Sequence, residues 1–103
     1  MVLFKRPLIM LILQGRKTQT RRIHKRELHV GHVYPITWRW FTKPEGHILI
    51  TRKFRQKLGE ISEQDVRKEG FDKREDFKAA WVKINGEWTP DKVVIVYEFK
   101  VVT

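Results

Sequence analysis

The chain has 103 residues, of which 41% are hydrophobic and 12% aromatic, and this predicts one folded domain with a modest core. It contains no cysteine, which excludes disulfides and thiolate metal sites. The net charge is +10, with 14 Lys and Arg against 2 Asp and Glu in residues 1–57, but 8 against 10 in residues 58–103. This asymmetry predicts a positive face for a polyanion such as RNA; a generally basic protein without a specific partner is the alternative.

The first predicted element is a short helix between Pro7 and Gly15, since proline opens helices and glycine closes them. Residues 8–13 are all apolar, which predicts a helix buried on most of its surface. This run is too short to cross a membrane and lacks a cleavage site. We therefore expect a soluble protein with no membrane partner, and the absence of cysteine fits a cytoplasmic location.

A dense cationic motif, Gly15-Arg16-Lys17-Thr18-Gln19-Thr20-Arg21-Arg22, follows this helix. Crowded cations repel each other and resist burial, so the motif is expected to bind an anion. In an extended segment alternate side chains share a face, and Lys17 would point away from Thr20 unless a turn after Gly15 brings it round. The binding residues predicted here are Arg16, Thr18, Arg21 and Arg22.

Residues 31–41 and 47–57 are rich in β-formers and flank a turn at residues 42–46, which predicts a hairpin. Trp38 and Trp40 would share a strand face with Ile36, where they either pack in the core or stack on bases. The remaining predicted nucleic-acid contacts form a basic rim on this hairpin, at Arg39, Arg52, Lys53 and Arg55.

Two helices and a strand complete the pattern. Ser62 is the expected N-cap of a helix that ends at Gly70, and Asp72 with Glu75 predicts a cap for the next helix. That helix carries an apolar stripe at Phe77, Ala80, Trp81 and Ile84 and ends at Asn85-Gly86. Residues 93–102 predict a central strand. The whole indicates an α+β domain with a curved or closed sheet.

The order and spacing of four segments resemble the ASCH domain family. They are Gly15-x-Lys17-Thr18-x-Thr20-x-Arg22, Gly31 to Ile36, Ile61 to Phe71, and Asp76-Phe77 followed by Trp81. The resemblance implies a single domain over residues 1–103, with a small PUA-like β-barrel of about five to six strands and short helices beside it. It also implies association with RNA and a cleft between barrel and helices.

The resemblance further implies a choice between binding and catalysis. Small bacterial members include amidohydrolases that deacylate acetylcytidine, and their active-site residues correspond to Lys17, Thr20 and Glu69, with Arg22 nearby. A desolvated Lys17 could act as base, Thr20 as nucleophile or water-positioning group, and Glu69 as proton shuttle. The alternative is that the cations contact phosphates and that Glu69 forms an ion pair with a cation such as Lys17. A ribonuclease activity has less support.

No cofactor is expected, because the sequence has no motif for one. The four histidines, His24, His29, His32 and His47, form no recognised metal-binding pattern. The leading hypothesis is therefore an RNA- or nucleotide-binding domain, and a metal-independent amidohydrolase is the alternative.

Overall fold

A single five-stranded sheet, curled into a half-barrel, organises the computed structural model, which describes residues 1–23 and 26–102. The strand order is β1-β3-β4-β5-β2, with β1 parallel to β3 and the other pairs antiparallel. A 3-10 turn at Leu58–Glu60 follows β4. The elements are β1 Val2–Leu3, α1 Arg6–Leu13, β2 Gln19–Arg22, β3 Val33–Thr37, β4 Gly46–Lys57, α2 Glu63–Lys68, α3 Arg74–Asn85 and β5 Val93–Val101.

The long strand β4 lies at the middle of the sheet and bends once. It pairs with β3 through its first residues and with β5 along most of its length. The register with β5 shifts between Ile50 and Arg52, which marks a bulge that increases the local twist. The predicted hairpin of β3 and β4 is therefore confirmed, and so is an α+β fold built on a curved sheet.

Both faces of β5 are buried over residues 94–97, which explains the apolar run at the start of this strand. Ile95, Tyr97 and Phe99 belong to a first core cluster with α1, whereas Val94 and Val96 belong to a second cluster with α2 and α3. Since side chains alternate along a strand, one strand serves both clusters. The clusters therefore lie on opposite faces of the same sheet.

Several local predictions were wrong. Only Ile9 and Ile12 of α1 are fully buried, while Met10 and Leu13 are exposed, because the helix covers one side of the sheet and has no layer above it. Helix α3 begins after Lys73 without a side-chain cap. Strand β3 ends at Thr37, so Trp38 and Trp40 do not share a strand face with Ile36.

Candidate ligand pocket

The turn after α1 brings Lys17 round to face the end of α2. Gly15 has a φ of 78°, a left-handed conformation that favours glycine. The backbone N–H groups of Arg16 and Lys17 then both donate to the carbonyl of Leu11, at 2.9 and 3.1 Å. The next N–H, that of Thr18, donates to the carbonyl of Lys68 at 2.8 Å. The turn that the sequence analysis required for Lys17 is confirmed.

Glu69 reaches the same place because α2 is short and ends in a glycine turn. The predicted cap is present, since the Ser62 hydroxyl accepts from the Asp65 N–H at 3.0 Å. Gly70 then has a φ of 102°, and a Cβ there would lie 3.1 Å from Leu11 Cδ1 and 3.5 Å from Lys17 Cβ. Gly70 is therefore a structural requirement, because only glycine combines this backbone with so close an approach.

Lys17 is buried and fully hydrogen-bonded. Its ammonium donates to the carbonyls of Gln19 and Glu69, at 2.9 and 2.8 Å, and to Glu69 Oε1 at 3.1 Å. Only 2% of the residue is exposed. Burial lowers the pKa of Lys17 from its usual 10.5, and the carboxylate of Glu69 opposes this only in part. The predicted ion pair exists, and burial eases removal of a proton from the lysine.

Arg21 holds the second oxygen of the same carboxylate. Its Nη1 donates to Glu69 Oε2 at 3.1 Å and also to Gln19 Oε1, while Nη2 donates to Gln56 Oε1 at 2.8 Å and to Asp65 Oδ2 at 3.3 Å. Glu69 is therefore clamped between Lys17 and Arg21, a group that we call the buried clamp. The expectation that the motif cations resist burial was wrong for these two, because a distant helix supplies the opposite charge.

A pocket of about 440 Å³ opens beside the buried clamp, within the size range of small-molecule sites. Its wall takes residues from both core clusters, and aromatic side chains make up much of it. The aromatic residues are Phe4, Trp38, Phe71, Phe77 and Trp81, and the polar ones include Lys17, Thr20, Arg21, Arg22 and Glu69. The three residues predicted as catalytic therefore share one pocket.

Arg22 and Thr20 lie together on the pocket wall. Arg22 Nε donates to Thr20 Oγ1 at 3.4 Å, Nη2 donates to the Leu3 carbonyl at 2.7 Å, and the guanidinium carbon lies 4.6 Å from the centre of the Phe4 ring. Burial lowers the pKa of Arg22, and Glu69 opposes this. The described contacts use two of the five N–H donors of a guanidinium, so others remain for an anionic ligand.

The other predicted binding residues lie outside the pocket wall. Arg16 is exposed, 3.9 Å from Asp72, and Thr18 makes backbone hydrogen bonds to Lys68 and Phe99. Arg39 packs its guanidinium on Trp38 at 4.6 Å. Arg52 pairs with Glu98 at 3.4 Å, whereas Lys53 and Arg55 both pair with Glu27. Their contacts with a ligand stay predictions, as does that of Arg21.

Sequence reasoning missed much of the aromatic wall. Phe4 follows β1, and a two-residue strand has no periodicity by which to recognise it. The position of Phe71 could have predicted its place in the pocket wall, since it directly follows Gly70 and the predicted site residue Glu69. Trp81 was expected in the core; it is indeed buried, and it also lines the pocket.

In residues 1–23 and 26–102 no group of three His, Asp or Glu side chains is placed to hold a metal ion. His24, one of the four histidines, lies outside the described residues. Over the same ranges, none of the helices has the length and hydropathy needed to cross a membrane.

Comparison with known proteins agrees with the fold. The model of the ASCH domain family matches residues 1–103. The ASCH domain of Lactobacillus crispatus JV V101 is 24% identical, with a TM-score of 0.70 over 93% of this chain and 70% of that one. A protein of Enterococcus faecalis V583 is 23% identical, with a TM-score of 0.72 over the same shares. No functionally curated protein matches the chain.

Proposed function

Because this chain belongs to the ASCH domain family, and because its buried clamp adjoins an aromatic pocket, we propose that it binds one nucleotide unit of RNA or a modified nucleoside there. The observation that carries the proposal is the composition of the pocket wall. Aromatic rings offer stacking surfaces for a base, and Arg22 keeps N–H donors for a phosphate or a carbonyl. A cytoplasmic location and the absence of a metal requirement are parts of this proposal.

The geometry favours binding over general-base catalysis as the first function. Each hydrogen of the Lys17 ammonium has an acceptor, and both oxygens of Glu69 have a cationic partner. Groups held this completely form a preorganised wall at little further cost in entropy. In the bound state they would present fixed charge and fixed backbone to the ligand.

Binding can be tested by blocking the pocket. Ala80 lines the pocket, whereas Ala79, its neighbour on α3, is exposed and does not. Ribonucleosides, their 5′-monophosphates and acetylcytidine would be titrated against tryptophan fluorescence, since Trp38 and Trp81 lie in the wall. We expect saturable quenching in the wild type and in Ala79→Phe, and its loss in Ala80→Phe. Equal binding by both variants would show that the ligand does not use the pocket.

One observation favours deacylation of acetylcytidine as a second candidate. Burial lowers the pKa of Lys17, and Glu69 Oε1 lies 3.1 Å from Nζ, where it can take the proton. A neutral Lys17 could then serve as base for Thr20 or for a water held by it. A water activated by Lys17 would add to the acetyl carbonyl, and the protonated Lys17 would give that proton to the amine of cytidine as the C–N bond breaks, which yields acetate and cytidine. With Thr20 as nucleophile, the same steps would leave an acetyl ester on Thr20, and a water would then hydrolyse this ester to release acetate.

The second candidate is tested by acetate release. Thr20→Val removes the hydroxyl at nearly constant volume and should cost about a hundredfold or more in kcat. Thr51→Val is the matched control, because Thr51 is exposed on β4 and its hydroxyl donates to the Glu98 carbonyl, outside the pocket wall. The wild-type rate should rise with pH as Lys17 loses its proton below pH 10.5. Binding of acetylcytidine without acetate release would rule out deacylation and leave only the binding proposal.

A further inference from the structure

The loop between β3 and β4 exposes two large aromatic side chains. Trp40 is 61% exposed and Phe41 is 99% exposed, so the Phe41 ring has almost no packing partner. Phe41 also has a φ of 60°, a left-handed conformation that is unfavourable for a bulky residue. Burial in the core therefore does not explain either side chain.

Hydrogen bonds nevertheless fix the conformation of this loop. The carbonyl of Arg39 accepts hydrogen bonds from the hydroxyls of Thr37 and Thr42, each at 3.0 Å. The two hydroxyls are 2.6 Å apart, and the Glu45 N–H closes the loop on the Ile36 carbonyl at 2.9 Å. These bonds hold the turn that presents Trp40 and Phe41 to solvent.

Unpaired cations accompany these rings. The guanidinium carbons of Arg6 and Arg39 lie 5.0 and 4.6 Å from the centre of the Trp38 ring. In the described ranges, none of the ion pairs involves Arg6, Arg39 or Lys43. Trp38 itself lines the pocket, so the loop continues the pocket wall out to the surface.

We propose that this loop binds the nucleotides that flank the one held in the pocket, so that the ligand is single-stranded RNA and not a free nucleoside. The proposal rests on the proposed function, because it extends the same site. Exposed aromatics stack on bases, and neighbouring arginines neutralise phosphates, which together form a common platform for single strands. Charge complementarity with the unpaired cations selects a polyanion as the occupant.

The test compares a polymer with its monomer. Oligoadenylate, oligocytidylate and oligouridylate of about eight nucleotides would be measured by fluorescence anisotropy, beside AMP, CMP and UMP by tryptophan quenching. In Trp40→Ala/Phe41→Gly we expect the oligonucleotide Kd to rise about tenfold or more, because each lost ring removes the stacking of one base. The monophosphate Kd should not change. Phe41→Gly also relieves the left-handed strain, so the fold should survive, as a thermal melt would verify.

One control variant and three contrary outcomes complete the experiment. Val93→Ala/Val102→Ala removes two exposed apolar side chains elsewhere and should leave both affinities unchanged. If the loop variant keeps the oligonucleotide affinity while the monophosphates still bind, the loop proposal is wrong and the proposed function stands. Vesicles of anionic phospholipid would be tested in parallel. If the loop variant loses binding to these vesicles but not to the oligonucleotides, the loop is a membrane contact and the RNA proposal is overturned. If the wild type binds neither monophosphates nor oligonucleotides, both proposals fall.

Discussion

Two glutamates of this protein are each held by one lysine and one arginine, in opposite environments. Glu69 contacts Lys17 and Arg21 in the buried clamp, where its side chain is 5% exposed. Glu27 contacts Lys53 and Arg55 on the surface, at 2.5 and 3.1 Å, and its side chain is 41% exposed. We call the second group the surface clamp.

The comparison shows that the same three charges have different consequences inside and outside. Water and salt screen the surface clamp, so each of its members can be lost with little effect. The buried clamp has no such screening, and a missing partner leaves a charge in a medium of low polarisability. The two clamps carry the same formal charges. Their solvent exposure therefore decides that the buried clamp contributes to stability and that the surface clamp is accessible to a ligand.

The largest expected effect is the loss of the buried carboxylate. Glu69→Gln keeps the shape of the side chain but leaves Lys17 without its anionic partner and Arg21 with Asp65 alone, and should lower the free energy of unfolding by roughly 3–5 kcal/mol. Glu27→Gln should change the urea midpoint by little more than the error of measurement. Urea unfolding followed by circular dichroism would compare the two variants. Similar midpoints would show that burial does not distinguish the clamps.

The next effect concerns the turn that positions Glu69. Gly70→Ala places a Cβ 3.1 Å from Leu11 Cδ1 on a backbone with a φ of 102°, and should cost about 1–3 kcal/mol. Gly15→Ala is the comparison, because its φ is 78° but no atom lies within 4 Å of the new Cβ. It should cost less, about 1–2 kcal/mol. Thermal unfolding would rank the two, and a larger loss at Gly15 would contradict the role given to Gly70.

A smaller effect should appear in the dependence of stability on pH. The pKa of Lys17 is lowered in the folded protein by burial, so the unfolded chain binds more protons between that lowered value and 10.5. The free energy of unfolding should therefore rise with pH across this window, through this residue. Lys17→Met should flatten the rise. Chemical denaturation at a series of alkaline pH values would measure it, and an unchanged slope would contradict a buried, destabilised charge.

The surface clamp should titrate in the opposite range. A hydrogen bond from Lys53 lowers the pKa of Glu27 below its usual 4.5, so the contribution of this carboxylate to stability is present above 4.5 and is lost as the pH falls below it. High salt should weaken the effect. Nuclear magnetic resonance titration of the carboxyl carbon, in the wild type and in Lys53→Ala, would detect it as a shift towards the usual pKa in the variant.

The smallest effect is expected in the salt dependence of RNA binding. Sequence alone assigns Lys53 and Arg55 to the RNA backbone, but Glu27 already neutralises part of their charge. Lys53→Ala/Arg55→Ala should lower the salt slope by less than about one unit, whereas Arg6→Ala/Arg39→Ala should lower it by about two. Affinities at several salt concentrations would give both slopes. A larger change for the first pair would make the surface clamp the RNA contact.

Local signals in the sequence predicted the fold well where a single residue type decides the backbone. Gly15 and Gly70 end their helices in left-handed turns, and Ser62 caps α2 as expected. The family match confirms the resemblance that the motif around Lys17 suggested. The convergence of Lys17, Thr20 and Glu69 on one pocket followed from that resemblance and from no local pattern.

Other features depended on contacts that no local pattern encodes. The burial of Arg21 requires Glu69 and Asp65, which lie more than forty residues away along the chain. Trp40 has the residue type of a core position, yet its strand has already ended at Thr37. Hydrophobicity alone cannot show which side of a chain the rest of the protein will cover, so the pocket wall and the exposed loop both required the three-dimensional structure.

The contact between Arg22 and the Leu3 carbonyl has a mechanical consequence. Strands β1 and β2 are the two edges of the sheet, and the 2.7 Å bond from Arg22 joins them where no ladder of backbone bonds does. Arg22 therefore links the two edge strands and also lines the pocket. An anion bound by the remaining donors of this guanidinium would share the side chain with the Leu3 carbonyl, so ligand binding and the link between the two edge strands are coupled through Arg22.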